Sequence, residues 1–295
     1  MRITWTALLL SLFSLTIAAQ VNLPIDALNK AQGEFCKKAS GDGQKAAFLS
    51  SLTTDAVVFR PEPTNGLKFW QAAENDGVTL ERTVSSADVA SSGTLGYTTG
   101  TWTSSKKEKG DIIQHSGEYV TIWERRDGEG FRAVLDITTR HDDSDAAKRM
   151  KSKVIASFDE NKRGFSATND AMKYLRAGME GGGLSSALEV TSMDDVRMLI
   201  DDMPPIVGKK NVVKEARKYT AVGFPDNVAI YQSGDMAYFW NQCRYSNSVE
   251  GQERGHCLQV MKLRDKKWWM VLAVFARLED MKPPVLTANG PKKKN

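Results

Sequence analysis

Hydrophobic positions along this chain change period in a set order, and the order is then repeated. Apolar residues first fall three or four apart, at Ile25, Leu28, Ala31, Phe35 and Ala39, which predicts an amphipathic helix with Pro24 near its start and Gly41 beyond its end. A shorter helix is predicted from Gln44 to Leu52, then a strand at Ala56–Phe59 stopped by Pro61 and Pro63. Leu67–Ala73 reads as a brief helix, and Thr79–Ala90 and Leu95–Thr103 as strands, with Gly100 suited to a bulge or bend. Ser104–Gly110 reads as a charged loop. The series closes on GEYVTIWERRDGEGFRAVLDI, Gly117 to Ile137, where two β-rich runs flank a polar turn at Arg126–Gly130.

The closing hairpin returns as GHCLQVMKLRDKKWWMVLAVF, Gly255 to Phe275. Gly117 answers to Gly255 and Asp127 to Asp265, 138 residues on; Phe131 answers to Trp268 and Leu135 to Leu272, 137 on. Helical spacing precedes it again, at Ala147, Met150, Val154 and Phe158 and from Thr168 to Met179, ended by Gly181-Gly182-Gly183. Val196–Ile200 answers to the Val57 strand at an offset of 139, and Gly208 to Gly66 at 142. Val212–Lys218 is a short helix, Ala229–Gln232 a strand, and Met236–Tyr245 the mate of Leu95–Thr103. The chain is an internal duplication. Its last strand, Trp268 to Ala276, is apolar without alternation, so both its faces need cover. The helices of its own half supply one cover, and the sheet of the other half is expected to supply the second, as an intrachain pseudo-dimer.

Composition changes this picture only at the ends. Arg2, the apolar run Ala7–Ile17 and Ala18-Ala19 have the build of a signal peptide, and the run is too short to span a bilayer. A secreted or periplasmic protein with no membrane span after cleavage is the expectation. Without Arg2 and Lys292–Lys294, 36 basic residues face 36 acidic ones, which leaves no electrostatic footprint for nucleic acid. Three cysteines permit one internal bridge. Cys243 and Cys257 are the natural pair, on strands folded about a turn near Glu250-Gly251, with Cys36 left as a thiol; the alternative is three buried thiols.

GYTTGTW, Gly96 to Trp102, followed by the Gly117–Ile137 hairpin, resembles the SnoaL-like domains of the nuclear transport factor 2-like superfamily, and the opening VNLPIDALNKAQGEF is similar in kind. The resemblance is fuller over Val21–Thr139 than over Val154–Glu279. It implies an α+β fold of two cone-shaped half-barrels, each with N-terminal helices packed on a curved antiparallel sheet around a pocket. The expected division is a signal peptide at 1–19, a first domain at 20–140, a linker at 141–153, a second domain at 154–281 and a disordered tail at 282–295.

Such folds serve isomerases, dehydratases, carriers and interaction modules, so the fold leaves the activity open. Asp136, inside an apolar strand, is either a general acid or base with a raised pKa or a carboxylate that faces solvent or ties down a loop. Tyr97, Thr99, Trp102, Tyr119, Thr121 and Trp123 are the candidate ligand-binding residues, with strand aromatics as core the competing reading. The second half has Trp240 for Thr99, Gln259 for Thr121 and Ala273 for Asp136, so any working cone is expected in the first half. His115 and His256 are off register with each other and read as surface or capping residues. No spacing suggests a metal site, a phosphate loop or a nucleophile elbow, and no cofactor is expected. Non-catalytic binding of a small apolar molecule or a protein partner is the leading reading; an acid–base isomerase or dehydratase using Asp136 and a purely structural interaction module are the rivals.

Overall fold

The computed structural model describes residues 24–60, 62–141, 183–223, 229–247 and 251–278. The expected signal peptide and tail, most of the expected linker and the helices read over Ala147–Phe158 and Thr168–Met179 lie outside the described residues.

The first half begins with α1 (Pro24–Gly41), which buries Ile25, Leu28, Gln32, Phe35 and Ala39, the stripe read from the sequence with Gln32 in place of Ala31, which is only partly buried. Next come α2 (Gln44–Ser51), β1 (Leu52–Phe59), β2 (Pro63–Asn65) and α3 (Gly66–Ala72), whose first turn is capped by Asn65 Oδ1 accepting from Lys68 N at 2.9 Å. Four long strands follow: β3 (Thr79–Val89), β4 (Leu95–Glu108), β5 (Asp111–Arg126) and β6 (Gly130–Arg140). The sheet order is β2-β1-β6-β5-β4-β3. It is mixed, where an antiparallel sheet is the expectation: β1 lies parallel to β6. The two are joined by the whole domain, so no hairpin dictates their direction.

The second half repeats this plan with α4 (183–191), β7 (Ser192–Ile200), β8 (Ile206–Val207), α5 (Lys209–Ala216), β9 (Tyr219–Gly223), β10 (Ala229–Ser233), β11 (Met236–Asn247), β12 (Gly251–Arg264) and β13 (Lys267–Arg277). Its sheet runs β10-β11-β12-β13-β7-β8, with β9 also on β11 and β7 parallel to β13. The fold is α+β, two cone-shaped units each with helices on a curved sheet.

Pairing fixes the correspondence between the halves. Thr121 pairs with Asp136 and Gln259 with Ala273, and Thr99 pairs with Val120 and Trp240 with Leu258, in agreement with the sequence offsets. The first strands need a correction. Val57 pairs with Leu135 and Arg197 with Leu272, so the mate of Val57 is Arg197, at an offset of 140 and not 139. At that offset the burial patterns of β1 and β7 coincide at every position but Thr53 and Met193, which hydropathy obscures because a valine is matched with an arginine.

Three further differences have local causes. Ser104–Glu108 is not loop: β4 and β5 stay paired out to Glu108 with Asp111, around a turn at Lys109 and Gly110 with φ of 51° and 97°. Two positive φ values at the turn suit the twist of an antiparallel pair, and an arm wet on both faces tolerates charges on both. The irregularity near Gly100 falls on the partner strand, between Val84 and Ser86. A Cβ at Gly100 would lie 2.0 Å from Thr83 O, so glycine is required by the close approach of β3. His256, read as a surface or capping residue, is buried with its ring 4.8 Å from that of Phe59.

Away from the β4–β5 arm, the central part of each sheet is covered on both faces. In the first half, α1–α3 close one face over Phe35, Phe48, Trp70, Trp102, Tyr119 and Trp123. The other face, with Leu95, Tyr97, Val120, Ile122, Leu135 and Ile137, shares one core with Met236, Tyr238, Leu258, Val260, Leu272 and Val274 of the second sheet. The last strand presents side chains to both layers, and a bulge at Val271, between Met270 and Leu272, shifts the phase of their alternation. Trp268 and Met270 face the helices, Leu272 and Val274 the opposing sheet, and Ala273 and Phe275 the helices again. The first half has the same bulge at Val134, the mate of Val271.

Buried charge also crosses between the two sheets. Lys262 of β12 is fully buried, with Nζ 3.0 Å from Val89 O, 3.5 Å from Asp88 Oδ1 and 3.3 Å from Asp235 Oδ2. Burial raises the pKa of Asp88, and Lys262 opposes the rise.

Candidate functional site

The mouth of the first cone is a cavity of about 690 Å³, a volume typical of small-molecule sites. Its walls come from α2, α3, the open ends of β3–β6 and two residues of the second half, Asp201 and Arg277. Phe48, Phe69, Trp70, Leu80 and Trp102 make it apolar, and four arginines line it: Arg60, Arg82, Arg140 and Arg277.

Its floor is an ion pair. Alternation along β3 points Leu80, Arg82 and Val84 toward the helices, so a guanidinium enters the cone where an apolar side chain is expected. Arg82 Nη1 donates to Asp136 Oδ2 at 2.8 Å and Nη2 to Asp136 Oδ1 at 2.9 Å, a bidentate pair. Thr121 Oγ1 donates to the same carboxylate at 2.6 Å. The side chains are 2% and 0% exposed, so water has no access to the Asp136 oxygens. The guanidinium carbon lies 4.3 Å from the Tyr119 ring centroid and 4.7 Å from that of Phe35, within range for cation–π attraction. Burial alone would lower the Arg82 pKa, but the Asp136 carboxylate outweighs it and the net direction is up.

Behind the floor a second polar chain ties α1 to the sheet. Trp123 Nε1 donates to Thr98 Oγ1 at 3.0 Å, Thr98 Oγ1 to Gln32 Oε1 at 2.7 Å, and Gln32 Nε2 to Cys36 Sγ at 3.1 Å. The narrow end of the cone is therefore filled by protein groups, with Arg82 Nε and Tyr119 Oη the buried polar atoms there that lack a hydrogen-bond partner among the described residues.

The candidate ligand residues separate into three groups. Trp102 lines the cavity, and its indole N–H reaches across Gly117 to the carbonyls of Glu118 and Thr139, both at 3.1 Å. A Cβ at Gly117 would stand 1.9 Å from Thr139 O, so that backbone approach requires glycine. Tyr119, Thr121, Trp123 and Asp136 lie on the same face but at or below the floor. Tyr97 and Thr99 belong to the opposite face: Tyr97 packs in the layer between the sheets, and Thr99 Oγ1 donates to Tyr119 O at 2.7 Å. Burial raises the pKa of Tyr97. In the second half, Cys243 and Cys257 are bonded, with Cα atoms 5.8 Å apart. They stand at the positions that Trp102 and Tyr119 occupy in the first half, as the pairings of Cys243 with Gly255 and Trp102 with Gly117 show.

Sequence reasoning missed the arginines. Arg82 carried a signal, in phase with Leu80 and Val84, but Arg60, Arg140 and Arg277 stand at strand ends that only the closed sheet brings together. Arg60 rests against the aromatic wall, its guanidinium carbon 5.7 Å from the Trp70 ring centroid, and donates to Phe59 O at 2.7 Å. Its pKa is lowered by burial, with the charges of Arg82 and Arg140 adding to the effect and Asp136 opposing it. Arg140 and Arg277 are mates in the duplication, and their main-chain N–H groups donate to one carboxylate, Asp201, at 2.7 and 2.5 Å. Burial raises the Asp201 pKa to about 6 against the pull of those two donors. Among the described residues, no group of three or more His, Cys, Asp or Glu is arranged to hold a metal ion.

No family model matches this sequence, and no curated protein matches it. Solved structures resemble parts of it. A conserved protein from Planctomyces limnophilus DSM 3776 is 15% identical, over 39% of this chain and 94% of that one, with a TM-score of 0.33. A nuclear transport factor 2-like superfamily protein from Salmonella enterica is 10% identical over 40% and 90%, with a TM-score of 0.33. An NTF2-like protein of unknown function from Pseudomonas putida KT2440 is 12% identical over 43% and 100%, also at 0.33.

Proposed function

We propose that this protein is a non-catalytic carrier or sensor that binds a small, largely apolar molecule at the mouth of its first cone. The observation that carries this reading is the aromatic cavity of about 690 Å³ closed beneath by the Arg82–Asp136 pair. A general acid or base must reach its substrate proton within hydrogen-bond distance. Asp136 is held by three donors from Arg82 and Thr121 and is fully buried, which favours binding over acid–base chemistry. The open cavity also favours binding over a purely structural module, whose cone would be filled. Export to an oxidising compartment is part of the proposal, supported by the Cys243–Cys257 bridge.

Titration of the full chain with N-phenyl-1-naphthylamine, a neutral fluorescent apolar probe, tests this. Saturable binding that is lost in Ala73→Trp, which fills the cavity from its wall, is the expected result. Binding unaffected by that substitution, or none at all in the unaltered protein, would overturn the reading.

A further inference from the structure

The cavity has a charged end as well as an apolar wall. Of its four arginines, Arg82 is answered by Asp136 at 2.8 Å and Arg277 by Asp202 at 2.6 Å. Asp201 is occupied by the main-chain N–H groups of Arg140 and Arg277. The remaining acidic lining residues, Glu74, Asp76 and Glu108, are exposed at the rim. Among the described residues, no carboxylate lies within ion-pair distance of Arg60, although its guanidinium is half-buried against Trp70 and Phe69.

A partly desolvated guanidinium in a cavity is costly unless an anion neutralises it, and a planar fork of N–H donors suits a carboxylate. Arg60 is held beside Trp70, its guanidinium carbon 5.7 Å from the ring centroid and one of its N–H groups donating to Phe59 O, next to the surface that a flat ligand would cover. We propose that Arg60 is the anion anchor of the site, and that its ligands are small aromatic carboxylates whose ring lies on the Trp70 and Trp102 wall. This rests on the binding reading above and narrows its ligand from apolar molecules in general to amphipathic acids.

The test compares 2-naphthoate with its neutral relative 2-naphthamide by calorimetry on the full chain, the Arg60→Met variant and the Arg60→Lys variant, each first shown to melt cooperatively. The acid should bind at least about tenfold more tightly than the amide, as expected for a hydrogen-bonded charge pair out of water. Arg60→Met should erase that preference while leaving the amide unchanged, and Arg60→Lys should keep part of it. An acid-to-amide ratio near one in the unaltered chain, which needs no variant to fold, overturns the proposal. So does a preference that survives in Arg60→Met. If N-phenyl-1-naphthylamine binds while the acid shows no advantage, the anion anchor alone falls; if neither naphthalene ligand nor that probe binds, the carrier reading falls with it.

Discussion

Arg82 and Asp136 meet through two parallel hydrogen bonds of 2.8 and 2.9 Å, at the centre of a cone whose other walls are aromatic. The pair closes the cavity floor and occupies both partners. It also makes the first half dependent on charge matching at a point the second half has abandoned: the mate of Asp136 is Ala273.

Removing one partner should be far worse than removing both. Asp136→Asn strands the Arg82 cation in the core and is expected to cost about 3–5 kcal/mol of stability in urea denaturation. Arg82→Met with Asp136→Leu should recover most of that loss, because the site then asks only for apolar packing. A single variant as stable as the unaltered protein would contradict the account.

Asp201 should impose a pH dependence of known sign. Its folded pKa of about 6 stands above the ordinary aspartate value of about 3.9, so between roughly pH 4 and 6 the folded state keeps a proton that the unfolded chain has lost. Stability from this group is therefore greatest below pH 4, falls as pH rises through the window and is level above it. Asp201→Asn should flatten that slope in melting curves taken every half unit, while losing about 1–3 kcal/mol because one of two main-chain donors is left unmatched.

Lys262 answers two buried carboxylates across the layer between the sheets. Lys262→Met should destabilise the protein by about 3–5 kcal/mol at neutral pH. Part of the loss should return on acidification, since a protonated Asp88 needs no counter-ion. Equal losses at pH 5 and pH 8 would show that packing, and not charge, explains the effect.

The Cys243–Cys257 bridge joins residues 14 apart in sequence on paired strands. Opening it in Cys243→Ala/Cys257→Ala should cost about 2–4 kcal/mol, mostly by freeing the unfolded chain. Mass analysis of unreduced peptides should find the two cysteines in one fragment, with Cys36 still able to react with a thiol reagent after unfolding. Two separate fragments would exclude the bridge.

The architecture was legible where residue type and period agree. The stripe of α1, both closing hairpins and the doubly covered final strand follow from apolar spacing alone. Legibility failed where a local signal was overruled or shared. Helix α4 shows Leu184, Ala187 and Leu188 buried at helical spacing, but Gly181-Gly182-Gly183, the last of which is its first residue, read as a stop and hid its start. The arm at Ser104–Glu108 has the composition of a loop because neither face is buried enough to demand alternation. The site residues on β4 and β5 were named without knowing their faces, and a strand exchanges faces at every residue, so Tyr97 and Thr99 landed opposite Trp102. Arg60 and Arg277 are more than two hundred residues apart in sequence and share a cavity only because the two halves close on each other.

The apolar layer joining the sheets has a consequence for inheritance. In an assembly of two identical subunits every substitution is made twice, at symmetry-related positions, and a change tolerated in one copy must be tolerated in both. Here the opposing sheets are encoded separately, so a cysteine bridge could take the place of Trp102 and Tyr119 in one cone without touching the other. Covalent linkage also makes the association unimolecular, and dilution cannot part the two surfaces. Each half is thereby free to change its own cone while both keep the surfaces by which they cover one another.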